Sequence, residues 1–256
     1  MAQVLFLQFQ KKPKMVESEK SCQEELSILK KEYEDFVYIV SHDVKTPMRA
    51  ISNITTWIED DLGLNTDKDV LNNLALLKNR VGRLENMFNA LLELSRVNRT
   101  EMEQYEVIIP KLVEECIASI DIGDNVKFHL NYDVSDQNCI TLGKKLNKVI
   151  FSLLENAVRF HDKEFKNVFV FVTENETDYT IKIKDDGPGI PEEVIEKIFS
   201  IFYTVNSKDV LDTTGAGLAI SRKIVEMVGG TLNYESELNN GSVFIINWPK
   251  IISLKN

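Results

Sequence analysis

Phe36-Val37-Tyr38-Ile39-Val40-Ser41-His42-Asp43-Val44-Lys45-Thr46-Pro47 is the stretch that decides the fold, because it carries an apolar stripe and a polar one on a single run. Phe36, Val40 and Val44 share one side of a helix, and spacings of three and four continue the stripe back through Tyr33, Leu29 and Leu26. Apolar residues at that recurrence form a helical seam. Ile51, Ile54 and Ile58 carry it onward, so the spacing predicts one long helix over 15–61. Leu62-Gly63-Leu64-Asn65-Thr66 breaks the pattern, and Thr66 or Asp67 can cap a second helix. There Leu74, Leu77, Val81, Leu84, Phe88, Leu91 and Leu94 keep the same spacing. Two helices of this length cannot bury both stripes in one hairpin. Pairing with a second copy as a four-helix bundle is the economical solution; the other is a hairpin docked on the domain that follows.

His42 lies two positions past the seam residue Val40, a rotation of roughly 200°, so it faces water. Taken alone, a helical histidine on the solvent face is an ordinary surface residue. Its neighbours change that reading. Asp43 can hold an imidazole nitrogen, and Lys45 and Thr46 stand three and four residues on, on the histidine's own face. Pro47 removes a backbone hydrogen bond from this turn, and a proline inside a helix costs about 3 kcal/mol. A neutral imidazole beside a carboxylate is a good nucleophile near neutral pH.

The composition sets the frame around this motif. With 256 residues, 43% of them hydrophobic and 27% charged, the chain reads as two modest folded domains, neither collagen-like nor disordered. Forty acidic against thirty basic residues give a net charge of −10, which argues against a nucleic-acid partner. Cys22, Cys116 and Cys139 are odd in number and show no CxxC, so neither a disulfide framework nor a zinc site is expected, and a cytoplasmic home is. No run approaches the roughly 18 to 20 apolar residues of a membrane span. Residues 1–14 are briefly apolar; Val4, Phe6 and Phe9 read as one short strand of unassigned role.

Beyond Arg96-Val97-Asn98-Arg99 the pattern changes, which sets domains at 15–100 and 101–256. Strands are predicted at 106–109 and 126–132, helices at 111–120 and 142–160. A hairpin over 168–172 and 179–184 turns at Asn175-Glu176-Thr177, and a short helix covers 192–199. A longer helix covers 218–228, and a last hairpin over 231–234 and 242–248 turns at Asn239-Asn240-Gly241. Hairpins dominate, so the second domain is expected to be α+β: a mixed sheet with helices on one face.

Three clusters in it carry chemistry. Leu153-Leu154-Glu155-Asn156-Ala157-Val158-Arg159-Phe160 ends a helix; Asn156 on its polar side can reach a magnesium ion or phosphate oxygens, and Arg159 on the same face can offset phosphate charge. Asp185-Asp186-Gly187-Pro188-Gly189-Ile190 follows a strand directly, so its glycines admit a close ligand and the carboxylate can accept from an adenine amino group. Thr213-Thr214-Gly215-Ala216-Gly217-Leu218-Ala219-Ile220 leads glycines into a helix whose first amides favour phosphate. Each cluster singly is also compatible with an ordinary helix surface or an acidic turn.

The His42-Asp43-x-x-x-Pro47 string on a helical hairpin, followed by the Asn156, Asp185, Phe199-x-x-Phe202-Tyr203 and Gly215 clusters in that order, resembles the catalytic core of sensor histidine kinases. The likeness covers roughly residues 25 to 250. It implies a dimeric phosphoacceptor hairpin followed by a GHKL-type ATP-binding sandwich. By this resemblance His42 receives a phosphoryl group from ATP and passes it to an aspartate of a response-regulator receiver domain, Asp43 is the base, and Thr46 helps dephosphorylate the regulator. It further implies that Asn156 binds Mg²⁺, Arg159 binds phosphates, and Phe160 borders the nucleotide. Asp185 meets adenine and Gly187 and Gly189 shape the pocket; residues 204–214 form a lid, and Thr214, Gly215, Gly217 and Leu218 sit against the phosphates.

Three positions depart from the family's pattern: Ser152 and Asp186 stand where asparagines are usual, and Thr213 where a glycine is. They support an alternative, a catalytically weak dimeric scaffold or regulator phosphatase of the same family. A GHKL ATPase of another kind has no need of the exposed His42 motif. The expected protein is thus a homodimeric cytoplasmic histidine kinase core whose signal comes from a sensor partner or from an upstream sensor domain.

Overall fold

The computed structural model describes residues 2–62, 66–121, 123, 125–135, 139–204 and 214–252. The break at Gly63-Leu64-Asn65 and most of the expected lid, residues 205–213 with Thr213, lie outside the described residues.

The long helix, α1, runs over Ala2–Asp61. Residues 2–14 therefore continue it, and the strand expected from Val4, Phe6 and Phe9 is not there. A lone strand leaves its peptide groups without a ladder partner, whereas Ala2, the leucines, glutamines and lysines of this run all favour a helix that satisfies its own backbone. The second helix, α2, spans Lys68–Arg96, and Asp67 caps it by accepting from the N–H of Asp69 at 3.0 Å. Lys78 of α2 is ion-paired with Glu59 of α1 near the turn. Among the described residues no helix is long and apolar enough to cross a membrane.

The hairpin seam keeps Leu74 and Val81 of the expected stripe on α2 but is shifted on α1. Among the described residues α1 buries Val37, Met48 and Thr55, and α2 buries Leu74, Val81 and Ala90. Val37 and Thr55 stand one position after Phe36 and Ile54, so the contact with α2 uses only the edge of the apolar stripe. Much of the stripe is exposed, Leu29 and Phe36 at 63% each and Ile54, Ile58, Leu77 and Leu84 with them, while Val40, Val44, Phe88, Leu91 and Leu94 are half-buried. Periodicity marks an apolar face, but the face is wider than one neighbouring helix can cover. Thr55 keeps its buried hydroxyl satisfied by donating to the carbonyl of Ser52 at 2.7 Å.

The second domain begins with β1, Tyr105–Val107, and α3, Ile109–Ala118. Then come β2 (Val126–Asp133), β3 (Cys139–Thr141), α4 (Gly143–Arg159), β4 (Lys166–Glu174) and β5 (Asp178–Asp185). After two 3₁₀ turns the chain ends in α5 (Gly217–Met227), β6 (Thr231–Ser236) and β7 (Ser242–Pro249). A five-stranded sheet has the order β2-β4-β5-β7-β6, with β2 and β4 parallel and every other pair antiparallel; β1 and β3 form a separate small ladder. The expected mixed sheet is therefore observed. The expected helix at 192–199 is instead the two 3₁₀ turns Glu192–Val194 and Lys197–Phe199, a run too short to offset helix nucleation. Three-residue β3 was too short to show a period.

Alternation explains which face is covered. Tyr179, Ile181, Ile183 and Asp185 of β5 point inward, as do Phe244, Ile246 and Trp248 of β7, while Lys182 and Lys184 point out. Leu146, Val149, Ile150, Leu153, Leu154 and Ala157 of α4 recur at three and four and pack on that face with Ile220, Ile224 and Val225 of α5. Trp248 is fully buried and its indole N–H donates to Thr141 Oγ1 at 2.7 Å, which ties β7 to β3. The last turns of α2 join this core through Ala90 and Val97.

Candidate functional site

The candidate residues gather in two places. On α1, His42 and Asp43 are both exposed, at 68% and 72% of their side-chain surface, and Nδ1 of His42 stands 3.2 Å from Asp43 Oδ1. An Nδ1–H held by a carboxylate leaves the Nε2 lone pair facing solvent. Tyr38 sits one turn back with its ring centroid 6.3 Å from the imidazole, and Arg96 of α2 lies over the Tyr38 ring at 4.5 Å. Thr46 is exposed one turn beyond His42.

The other place is where α4, the turn after β5 and the start of α5 meet. Asp185 ends β5 on the inward face, so strand alternation buries its carboxylate. Burial pushes its pKa up; N–H donation from Gly187 at 2.9 Å and Ser242 at 3.3 Å works the other way, and both bonds fall on Oδ1. Gly187 is buried against this carboxylate: a Cβ there would lie 2.9 Å from Asp185 Oδ1 and 3.6 Å from His161 Cδ2. A Cβ on Gly189 would collide with the carbonyl oxygen of Glu237.

The start of α5 is held by close backbone approach. Gly215 has φ +67°, and a Cβ on it would stand 2.5 Å from the carbonyl oxygen of Tyr203. Only glycine takes that conformation freely, so the entry into α5 depends on it. Gly217 opens the helix over α4, where a Cβ would come within 2.7 Å of Ser152 Oγ. The Ser152 side chain thus lies under the glycine. Ala216 at the N-cap supplies no side-chain bond, so the first amides of α5 are left for an anion. Thr214 and Leu218 flank the glycines, both half-buried.

On α4, Asn156 is half-buried and its carboxamide has no hydrogen-bond partner among the described residues. Arg159 is exposed and paired with Glu155, Nη2 to Oε1 at 3.0 Å. Phe160 follows at the C-cap. The fold therefore brings the α4, Asp185 and Gly215 clusters together. It does not bring His42 to them: the imidazole's partners among the described residues are Asp43 and Tyr38 of its own helix.

Asp186 carries less free charge than its sequence suggests. Its Oδ1 accepts from His161 Nε2 at 2.5 Å and from the Asn167 N–H at 2.9 Å; Oδ2 accepts from Asn167 Nδ2 at 3.1 Å and Lys163 Nζ at 3.3 Å. Partial burial opposes ionisation, but these four donors outweigh it and hold the carboxyl well below the usual carboxylate range.

Sequence reasoning passed over His161 and Asn167, and over the turn between β6 and β7. That turn closes on the Asp185 loop: the Asn239 N–H donates to the Pro188 carbonyl at 2.7 Å, and the Ile190 N–H donates to Ser236 Oγ at 2.7 Å. Gly241, at φ +87°, lies so close that a Cβ would collide with the Asp185 carbonyl oxygen. Asn239-Asn240-Gly241 signalled a hairpin turn, and nothing local signalled what the turn would touch.

Comparison with known proteins gives two family matches. Residues 141–252 match the family of histidine kinase-, DNA gyrase B- and HSP90-like ATPases, and residues 32–100 match the His Kinase A phospho-acceptor domain. The chain is similar to cyanobacterial phytochrome B of Nostoc sp., 30% identical over 227 residues that cover 86% of this chain and 30% of that protein. It is similar as well to sensor protein SrrB of Staphylococcus aureus, 29% identical over 232 residues, covering 84% of this chain and 38% of that protein. It therefore spans about a third of the length of these curated relatives. Among solved structures, the catalytic domain of histidine kinase ThkA matches with a TM-score of 0.52 and 30% identity, over 59% of this chain and 97% of that one. Full-length ShkA in complex with AMPPNP matches in fold, with a TM-score of 0.64 at 18% identity, over 86% of this chain and 47% of that one.

Proposed function

This chain belongs to the sensor histidine kinase family, of which it carries the catalytic core, and on that premise we propose that it phosphorylates its own His42 from ATP and passes the phosphoryl group to an aspartate of a response regulator. The observation that carries this reading is the exposed His42–Asp43 contact at 3.2 Å, a pair that packing does not require. Asp43 holds the Nδ1 proton and Nε2 attacks the γ-phosphorus. The P–N bond forms as the bond to the bridging oxygen breaks, ADP leaves with that electron pair, and the Nδ1 proton passes to Asp43. Thr46, one turn on, orients water for the reverse dephosphorylation of the regulator.

In the nucleotide site Asp185 accepts from the adenine amino group, while Phe160, Gly187 and Gly189 bound the base. Gly215 and Gly217, between Thr214 and Leu218, let the α5 amides approach the phosphates, and Arg159 offsets their charge. The described residues include no group of three or more His, Cys, Asp or Glu side chains that could hold a metal by themselves. A single neutral donor, the Asn156 carboxamide, fits an Mg²⁺ carried mainly by phosphate oxygens and water, as that ion prefers. Such an ion supplies charge neutralisation at the transferring group.

The proposed domains are a phosphotransfer hairpin over 15–100 and an ATP-binding domain over 101–256. The stripe left exposed on Leu29, Phe36, Ile54, Leu77 and Leu84 supports a homodimer, with a second copy completing a four-helix bundle. Because His42 and the nucleotide cluster do not touch, transfer requires the ATP-binding domain to move or the partner's domain to reach across. A cytoplasmic location goes with this reading, with the stimulus coming from a sensor partner or an upstream sensor domain.

Purified chain incubated with radiolabelled ATP and Mg²⁺ is expected to take up acid-labile, alkali-stable label that His42→Ala lacks. Absence of such label, or its survival in His42→Ala, would overturn the assignment.

A further inference from the structure

His161 follows Phe160 directly, and its side chain is completely buried. The Lys163 N–H points at Nδ1 from 3.2 Å, which puts the ring proton on Nε2, and Nε2 donates to Asp186 at 2.5 Å. Asp186 is in turn bonded to both the backbone and the side chain of Asn167 on β4. The Asn167 amide oxygen meets His129 Nε2 of β2 at 3.1 Å, which extends the chain of contacts to a further strand. Three elements, the end of α4, strand β4 and the turn after β5, are pinned at one carboxylate. Next to that carboxylate stands Asp185, and Gly187 is wedged between Asp185 Oδ1 and the His161 ring.

We propose that His161 is a positioning residue for nucleotide recognition, tying the end of α4 to the Asp185 turn through Asp186. The inference rests on the ATP reading above and deepens it. Asn156 and Arg159 on α4 serve the phosphate end of the nucleotide and Asp185 the base end. His161, just past the C-cap of α4, is the buried one of two residues there that bond to the base-binding turn, Lys163 being the exposed one, so it sets the separation of the two ends. Asp186 then serves as the acceptor in this joint, and its departure from the family's asparagine goes with the fixed donor opposite it. A buried hydrogen bond to a charged group contributes enough that its loss should weaken binding by about ten- to a hundredfold.

The test measures binding of a fluorescent adenine nucleotide, and of its guanine counterpart, to the full chain and its variants. His161→Leu fills the space without a donor and is expected to bind the adenine nucleotide about ten- to a hundredfold more weakly, with reduced preference over guanine. His161→Gln keeps an N–H near the place of Nε2 and is expected to recover most of the affinity. In the labelling reaction the loss should fall on KM for ATP and leave kcat nearly unchanged. Equal affinity of the leucine variant and the wild type overturns the inference, provided Asp185→Asn still abolishes binding. Equal loss in the leucine and glutamine variants overturns it also. Should the leucine variant not fold, Asp186→Ala decides: it removes the acceptor of the His161 bond, so the same loss of about ten- to a hundredfold is expected, and wild-type affinity overturns the inference. A wild-type chain that binds no adenine nucleotide overturns the ATP reading itself, and this inference with it.

Discussion

The Ser242 backbone N–H donates to Asp185 Oδ1 at 3.3 Å across a sequence separation of 57 residues. Strand register brings the two together: β5 and β7 are antiparallel neighbours, with Lys184 opposite Val243. The start of β7 thereby becomes one wall around the carboxylate that the nucleotide reading depends on.

Gly241 sits at the tip of that wall. Gly241→Ala must force its Cβ against the Asp185 carbonyl at a φ of +87°. A loss of about 2 kcal/mol or more is expected, seen as a lower thermal midpoint and weaker nucleotide binding together. Gly82 in α2 meets nothing within 4 Å, so Gly82→Ala should instead raise hairpin stability by about 0.5–1 kcal/mol. If Gly241→Ala melts and binds like the wild type, the wall has no part in holding Asp185.

Asp43 acts on His42 from 3.2 Å in the proposed transfer. Asp43→Asn keeps the shape and removes the base, so the initial rate of His42 labelling at saturating ATP should fall by about 10²- to 10⁴-fold. Nucleotide affinity should not change, because Asp43 and the nucleotide cluster lie on separate elements.

Ile54 and Leu84 are 49% and 47% exposed on the stripe that one hairpin leaves uncovered. Ile54→Lys combined with Leu84→Glu is expected to convert a dimer to a monomer in sedimentation equilibrium. The core under the nucleotide cluster takes Ala90 and Val97 from the hairpin region but neither Ile54 nor Leu84, so nucleotide binding should survive the change. A wild-type chain that sediments as a monomer would refute the bundle.

Glu174 has its pKa pulled down to about 2, first by the Lys250 ammonium at 2.7 Å and then by the Ser135 N–H at 2.5 Å. A carboxylate depressed in the folded state stabilises it above the unfolded pKa of about 4.3, and that contribution disappears as pH falls through about 4.3 toward 2. Asp186 is depressed too and adds to the same acid loss, while Asp185, raised by burial, has the opposite sign. The urea midpoint should therefore drop on acidification, and Glu174→Gln should flatten the drop. An unchanged pH profile in that variant would mean that Lys250 and Ser135 do not stabilise the charge.

Much of this was legible along the chain. The three-and-four spacing located both long helices, and alternation located β4 and β5, because each pattern depends only on neighbours a few residues away. His42, Asp43 and Thr46 could be set on one exposed stretch by helical geometry alone. On α1 the seam was misplaced by about one position, while Leu74 and Val81 of α2 were placed correctly, because an apolar stripe does not say which of two neighbours each part of it meets. His161 looked like an ordinary residue after a helix, and Asp186 like an added charge, because the partner of each lies 25 residues away.

The sequence alone determined the helical and strand periods, the solvent-facing His42–Asp43 pair and the order of the three candidate clusters, all properties of local spacing. Tertiary structure alone decided that Asp185 is buried, that Asp186 is held ionised by donors from His161, Asn167 and Lys163, and that Ser242 and Gly241 close on Asp185. Burial and hydrogen-bond partnership depend on which distant segments the strand register sets side by side, and the energy of a charged group follows from those neighbours more than from its own place in the chain.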